Sequence, residues 1–110
     1  MLLGQTTLRE RPDVVTKVRA MIAEATPEGV ARALEAMRDR PDSTPQLGTI
    51  DVPVMVLVGE EDTLTPVSEA RVMSEGVRDG QLAVLPQAGH LSNLETPERF
   101  NDALLRFLGD

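Results

Sequence analysis

The sequence predicts an α/β fold: two helices, then a β-α-β-α unit with parallel strands. Three observations predict it. Residues 52–58, Val-Pro-Val-Met-Val-Leu-Val, form a continuous apolar run rich in β-branched residues. Continuous rather than alternating apolarity marks a strand covered on both faces, as in a parallel sheet. A second short run, Gln81 to Leu85, follows one helix-length later. Around these runs the pairs Thr26-Pro27, Thr65-Pro66 and Thr96-Pro97 repeat a helix-start signal. The pattern divides the chain into a helical segment with a linker, residues 1–48, and a βαβα part, residues 49–110.

The first helix opens at Pro12 and Asp13, because proline suits the first helical position, where its missing N–H would be unpaired anyway. Val14, Val15, Val18, Met21, Ile22 and Ala25 then recur at helical spacing as one apolar stripe. Thr26-Pro27-Glu28 caps a second helix, with Val30, Leu34 and Met37 on its apolar face. Arg38 and Arg40 suit its negative end, and Pro41 stops it. The stretch Pro41-Asp42-Ser43-Thr44-Pro45-Gln46 reads as a linker. Pro53 belongs at the beginning of the first strand, since proline cannot donate to a ladder. Thr65-Pro66 starts a crossover helix with Val67, Ala70, Met73 and Val77 inward. Asp79-Gly80 reads as a turn. The last helix follows Thr96-Pro97-Glu98, carries Phe100, Leu104, Phe107 and Leu108 on one side, and ends before Gly109. A strand, a helix and a parallel strand make one right-handed βαβ unit, whose open edges invite pairing with another chain.

Composition bounds the function. The chain has 110 residues and the charge of a soluble globular domain, 26% charged and 41% hydrophobic. At 12.0 kDa it is one domain at most. Phe100 and Phe107 are the only aromatic residues, so the core is aliphatic. Eleven Lys and Arg against 18 Asp and Glu give a net charge of -7. Such a chain repels a phosphate backbone and an anionic membrane, which argues against nucleic-acid and membrane partners. No cysteine and one histidine exclude disulfides and thiolate sites and disfavour structural zinc. Met1-Leu2-Leu3 is too short for a signal peptide, so the cytoplasm is the expected compartment.

Chemistry gathers after the two strands, in Gly59-Glu60-Glu61-Asp62-Thr63-Leu64-Thr65-Pro66 and in Pro86-Gln87-Ala88-Gly89-His90-Leu91-Ser92-Asn93-Leu94-Glu95. Ligands and catalytic groups of open α/β sheets collect at the carboxyl ends of strands, where Asp62 and His90 fall. The helix and strand between them return the chain to the same edge, so the two can meet. A carboxylate on one imidazole nitrogen sets the tautomer and leaves the other nitrogen as a general base. Plainer readings stand beside this one. Asp62 is also a solvated loop charge or a cap for the turn before Thr65, and a lone histidine after glycine is also a surface or packing residue. Ser92 and Asn93 read as turn formers, and Met21, Met37, Met55 and Met73 as core filler.

Taken together the two segments, continued by Thr96-Pro97-Glu98-Arg99-Phe100, resemble the end of the α/β-hydrolase fold. The likeness is to small esterases and lactonases of the 3-oxoadipate enol-lactonase type. It covers residues 50–108, and residues 11–44 resemble the end of that family's cap. The resemblance implies Asp62 as the triad acid, His90 as the triad base and no metal or organic cofactor. The family's chain order, nucleophile then acid then histidine, agrees. The nucleophile motif Gly-x-Ser-x-Gly is absent: Ser43, Ser68, Ser74 and Ser92 lie in other settings, and the His-Gly oxyanion loop is missing too. The fold expected is therefore a partial α/β-hydrolase, completed by a missing N-terminal hydrolase half or by homo-oligomerisation. The parent chemistry is hydrolysis of a small ester or lactone, with the chain alone inactive. The alternative is a non-catalytic module that pairs through its sheet edge, with Asp62 and His90 as relics. Slow hydrolysis of activated esters by a lone histidine is a third reading.

Overall fold

Two parallel strands stand at the centre of the structure, a computed structural model that describes residues 2–109. Strand β1 is Val54–Gly59 and β2 is Gly80–Leu85, paired in register from Val54 with Gly80 to Gly59 with Leu85. Helices α1 (Gln5–Glu10), α2 (Pro12–Ala23) and α3 (Pro27–Asp39) precede the strands, and a 3-10 turn at Thr44–Thr49 leads into β1. Helix α4 (Val67–Gly76) crosses between the strands and packs on both. A one-turn helix α5 (Ser92–Glu95) and α6 (Pro97–Phe107) follow β2. The expected α/β class with a β-α-β-α unit is present, and the short helix α1 and the 3-10 turn are additions that the sequence pattern had left unassigned.

Local signals explain most boundaries. Thr26 accepts from the Gly29 N–H at 3.0 Å and so caps α3, with Pro27 next. Gly109 follows α6 at φ +94, a left-handed conformation that glycine adopts without a Cβ clash, and its N–H closes on the Arg106 carbonyl. Other expectations need correction. Gly80 is not a turn residue but the first rung of β2, because the N–H of Val54 reaches Asp79 O at 2.9 Å and pairing starts there. Thr65 does not cap α4, whose N-cap is Pro66 with no side-chain bond. Thr96 is not a side-chain cap either, since its hydroxyl donates back to Ser92 O at 3.2 Å. Helix α2 ends at Ala23, so Ala25 falls outside the stripe.

The core is aliphatic, as expected. Leu3, Val14 and Val18 are buried together, with Val15, Leu91 and Leu94 packed around them. Val58, Ala70, Val77, Leu85 and Ala88 are buried along the sheet and α4. Several apolar faces are uncovered. Met73 is 44% exposed rather than inward, Leu104 on α6 and Leu108 just past its end are exposed, and α3 buries no residue at all. Strand β1 is half-buried until Val58 and Gly59, so the two-face coverage expected for it is incomplete. The described chain exposes 7838 Å², where a compact 12.0 kDa monomer exposes about 6,000 Å². Its radius of gyration is 15.7 Å, against about 13 Å for a compact domain of this length.

The strand ends come together through close backbone packing. A Cβ on Gly59 would run into the carbonyl oxygens of Ala88 and Gly89, which are backbone and cannot swing aside. Gly59→Ala should therefore cost about 1–3 kcal/mol, as overpacked sites do. Gly48, with open space around it, should tolerate alanine within about 0.5 kcal/mol. Urea midpoints followed by far-UV circular dichroism separate the two; equal midpoints would refute the backbone contact.

Candidate active site

The carboxyl ends of β1 and β2 place the two loops side by side. The Glu60 N–H donates to Leu85 O at 2.9 Å and the Glu61 N–H to Ala88 O at 2.7 Å, so the acid loop continues the ladder onto the histidine loop. Gln87 takes φ +63, a left-handed conformation that is costly outside glycine, as the chain turns from β2 toward Ala88. Ala88 is fully buried beneath the loop.

Asp62 and His90 meet at this edge. His90 Nδ1 lies 3.0 Å from Asp62 Oδ2. Asp62 is 7% exposed and the imidazole 36%. Asp62 is therefore not a solvated loop charge: Oδ1 accepts from the Leu64 and Thr65 N–H groups, each at 3.0 Å, which makes the turn, while Oδ2 faces the histidine. Thr65 spends its hydroxyl here, donating to Asp62 Oδ2 at 2.9 Å and lying 3.2 Å from His90 Nδ1. An ionised carboxylate only accepts, so the hydrogen-bond network assigns the proton to Nδ1 and leaves the Nε2 lone pair free. Burial works against ionisation of Asp62. The Thr65 N–H, the His90 ring and the Thr65 hydroxyl outweigh it and hold the carboxyl below the usual range. His90 opens onto a cleft of about 120 Å³ lined by Val56, Val58, Ala70, Met73 and Ser92. Among the described residues no serine hydroxyl bonds to His90, and no cluster of three ligating side chains gathers that could hold a metal.

Two carboxylates outside the expected pair build the surroundings. Glu95 is 2% exposed. Its Oε1 accepts from the Gly4 N–H at 2.8 Å and the Thr7 hydroxyl at 2.7 Å. Its Oε2 accepts from the Gly89 and Leu91 N–H groups, each at 3.0 Å. Glu61 accepts from the Thr6 N–H at 2.8 Å and the Thr6 hydroxyl at 2.6 Å. The Thr6 hydroxyl and N–H hold its carboxyl below the usual range against the opposing effect of burial, with help from Arg9. The His90 N–H donates to Leu2 O at 2.9 Å. The segment Leu2–Thr7 thus clasps both loops. A signal for Glu95 was available: it lies four residues after Leu91 and next to Leu94, on the helical face those leucines turn to the core.

The chain matches the alpha/beta hydrolase family model over residues 3–103. It is 35% identical over 97 residues to 3-oxoadipate enol-lactonase 2 of Acinetobacter baylyi, covering 88% of this chain and 36% of that protein. Among solved structures it resembles a thermophilic esterase from Thermogutta terrifontis. That match has a TM-score of 0.92 and 42% identity over 97% of this chain and 39% of the esterase. A hydrolase from Pseudomonas aeruginosa PA01 aligns with a TM-score of 0.84 and 36% identity, over 94% of this chain and 38% of the other. The chain therefore spans well under half the length of the relatives it matches. Among the described residues no helix is long and apolar enough to cross a membrane.

The depressed carboxyls of Asp62 and Glu61 set a pH dependence. Their folded pKa values lie below the unfolded ones, so the unfolded chain binds protons first on acidification. The stability they contribute is complete above the unfolded carboxyl values, from about pH 5, and is lost as pH falls through the folded values. Asp62→Asn and Glu61→Gln should each lower stability at pH 7, and the gap from the parent should narrow as pH falls through the folded values. A gap that stays constant across that range in urea titrations would contradict these assignments.

Proposed function

This chain belongs to the alpha/beta hydrolase family, and we propose that it supplies the acid and base of a serine hydrolase acting on a small ester or lactone. The nucleophile and the oxyanion donors come from a separate stretch of polypeptide. The observation that carries this reading is the 3.0 Å approach of His90 Nδ1 to Asp62 Oδ2 at the ends of two parallel strands. Asp62 keeps Nδ1 protonated and the ring oriented. Nε2 then takes the proton from a serine hydroxyl as its oxygen attacks the acyl carbon, and returns it to the departing alkoxide. In a lactone that alkoxide stays tethered to the acyl group. Water, deprotonated by the same nitrogen, releases the acid and restores the serine.

The choice of ester or lactone rests on the relatives, an enol-lactonase and an esterase. The uncovered apolar surface supports a partner for the chain. The excess of roughly 1,800 Å² over a compact monomer is larger than one side of a standard protein interface. Exposed Met21, Val30, Leu34 and Met37 on α2 and α3 are placed to line an apolar substrate pocket once it is covered. On this reading the chain alone turns over no ordinary alkyl ester.

A second reading follows from the same uncovered surface. The open sheet, only two strands wide, pairs with a second copy to give a non-catalytic dimer. Light scattering with refractive-index detection, needed because the chain lacks Trp and Tyr, separates a closed dimer from a monomer.

Co-expression with an N-terminal segment carrying Gly-x-Ser-x-Gly, taken from the enol-lactonase relative, tests the first reading. Hydrolysis of an alkyl ester or lactone should appear in the reconstituted pair. It should fall by about 10²- to 10⁴-fold in His90→Ala, the range general acid–base catalysis contributes. Turnover that survives His90→Ala would remove His90 from the mechanism.

A further inference from the structure

We propose that Glu95 is a positioning residue for His90, acting through the backbone on both sides of the histidine; this rests on the assignment of His90 as base. Oε2 holds the N–H groups of Gly89 and Leu91, which flank His90 directly, both at 3.0 Å. Oε1 ties the same carboxylate to Gly4 and Thr7, at 2.8 and 2.7 Å. The histidine's own N–H is bound by Leu2 O. Three consecutive amides, 89 to 91, are therefore all fixed, two by Glu95 and one by the segment that Glu95 also anchors.

Among the described contacts the ring of His90 is held at Nδ1, where Asp62 Oδ2 lies at 3.0 Å and Thr65 Oγ1 at 3.2 Å, and it opens onto the cleft. Ring orientation is thus set by these contacts at Nδ1 and by the backbone from which the ring hangs. Neither oxygen of Glu95 reaches the ring or the cleft-facing nitrogen among the described contacts, so its effect on His90 is transmitted by the loop. Four donors converge on two oxygens, which leaves no acceptor position unfilled. Glutamine would place an N–H₂ donor against N–H donors on one side, so Glu95→Gln unpairs one side of the clasp while keeping its volume.

His90 is the only histidine, so its ring nitrogens can be read alone by ¹⁵N NMR in the full chain. The parent should show the single tautomer with the proton on Nδ1. In Glu95→Gln the strand amides of β1 and β2 should keep their positions, while the ring spectrum becomes a mixture of both tautomers. The Gly89 and Leu91 amides should exchange roughly 10- to 100-fold faster, as expected when a buried hydrogen bond is lost. Val77→Ala, which loosens the core away from these loops, should leave the ring spectrum as in the parent. A parent-like ring spectrum in folded Glu95→Gln, or an equal change in Val77→Ala, overturns the proposal. If Glu95→Gln does not fold, Thr7→Val removes one donor only. It should then shift the ring spectrum the same way by less, and a parent-like spectrum there overturns the proposal. Asp62→Asn separates the two levels: a ring spectrum unmoved by that change defeats the His–Asp pairing itself, whereas movement in Asp62→Asn but none in Glu95→Gln defeats only the role of Glu95.

Discussion

The buried carboxylate of Glu95 is the constraint from which the rest of the site hangs. Burying an ionised carboxylate costs several kcal/mol unless its lone pairs are occupied. Here four donors from two distant segments occupy them. Any movement that separates the N-terminal segment, the histidine loop or α5 unpairs at least one donor and exposes that cost. Glu61 repeats the arrangement on the acid loop with Thr6. The Asp62–His90 pair sits between these two clasps. Its loops touch at the level of backbone, where Gly4, Gly59 and Gly89 leave no room for a Cβ.

Two regimes of order result. Around the strand ends the carboxylates of Glu61, Asp62 and Glu95 all accept hydrogen bonds, and no buried side-chain nitrogen or oxygen lacks a partner among the described residues. Farther out, α3 and the outer faces of α4 and α6 carry uncovered methionine, leucine and valine side chains. Buried polar groups are thus paired around the two strand ends, while apolar faces farther out are uncovered.

Much of this was readable from residues close in sequence. The β-branched run at 54–58, the Thr26-Pro27 cap and Gly109 each depend on neighbours within a few positions, and each takes the expected conformation. The approach of Asp62 to His90 was legible because parallel strands deliver their following loops to one edge. Thr65 was misread because one hydroxyl suits two tasks: a Thr-Pro pair looks like a cap, but the local turn gives that oxygen to Asp62, three residues back, and the fold brings it beside His90. Met73 was placed inward because periodicity identifies an apolar face but not whether a layer covers it. Glu61, Glu95, Thr6 and Thr7 were invisible as a group, since the bonds that join them to the N-terminal segment span 55 to 91 positions. The leucine spacing hinted that Glu95 turned inward toward its local donors Gly89 and Leu91, yet nothing nearby in sequence named Gly4 and Thr7.

Those separations also dictate an order of assembly. The helices and the 3-10 turn close over a few residues, and the βαβ unit over about 30. The clasp on Glu95 closes a loop of 88 residues at Thr7 and 91 at Gly4. Contacts that distant are slow to form, because chain entropy is lost before the bond rewards it. In a chain made from its N-terminus, Gly4 and Thr7 wait without their acceptor until residue 95 has emerged. The clasp around the histidine loop therefore closes only once residue 95 is available, after the local helices and the βαβ unit can already have formed.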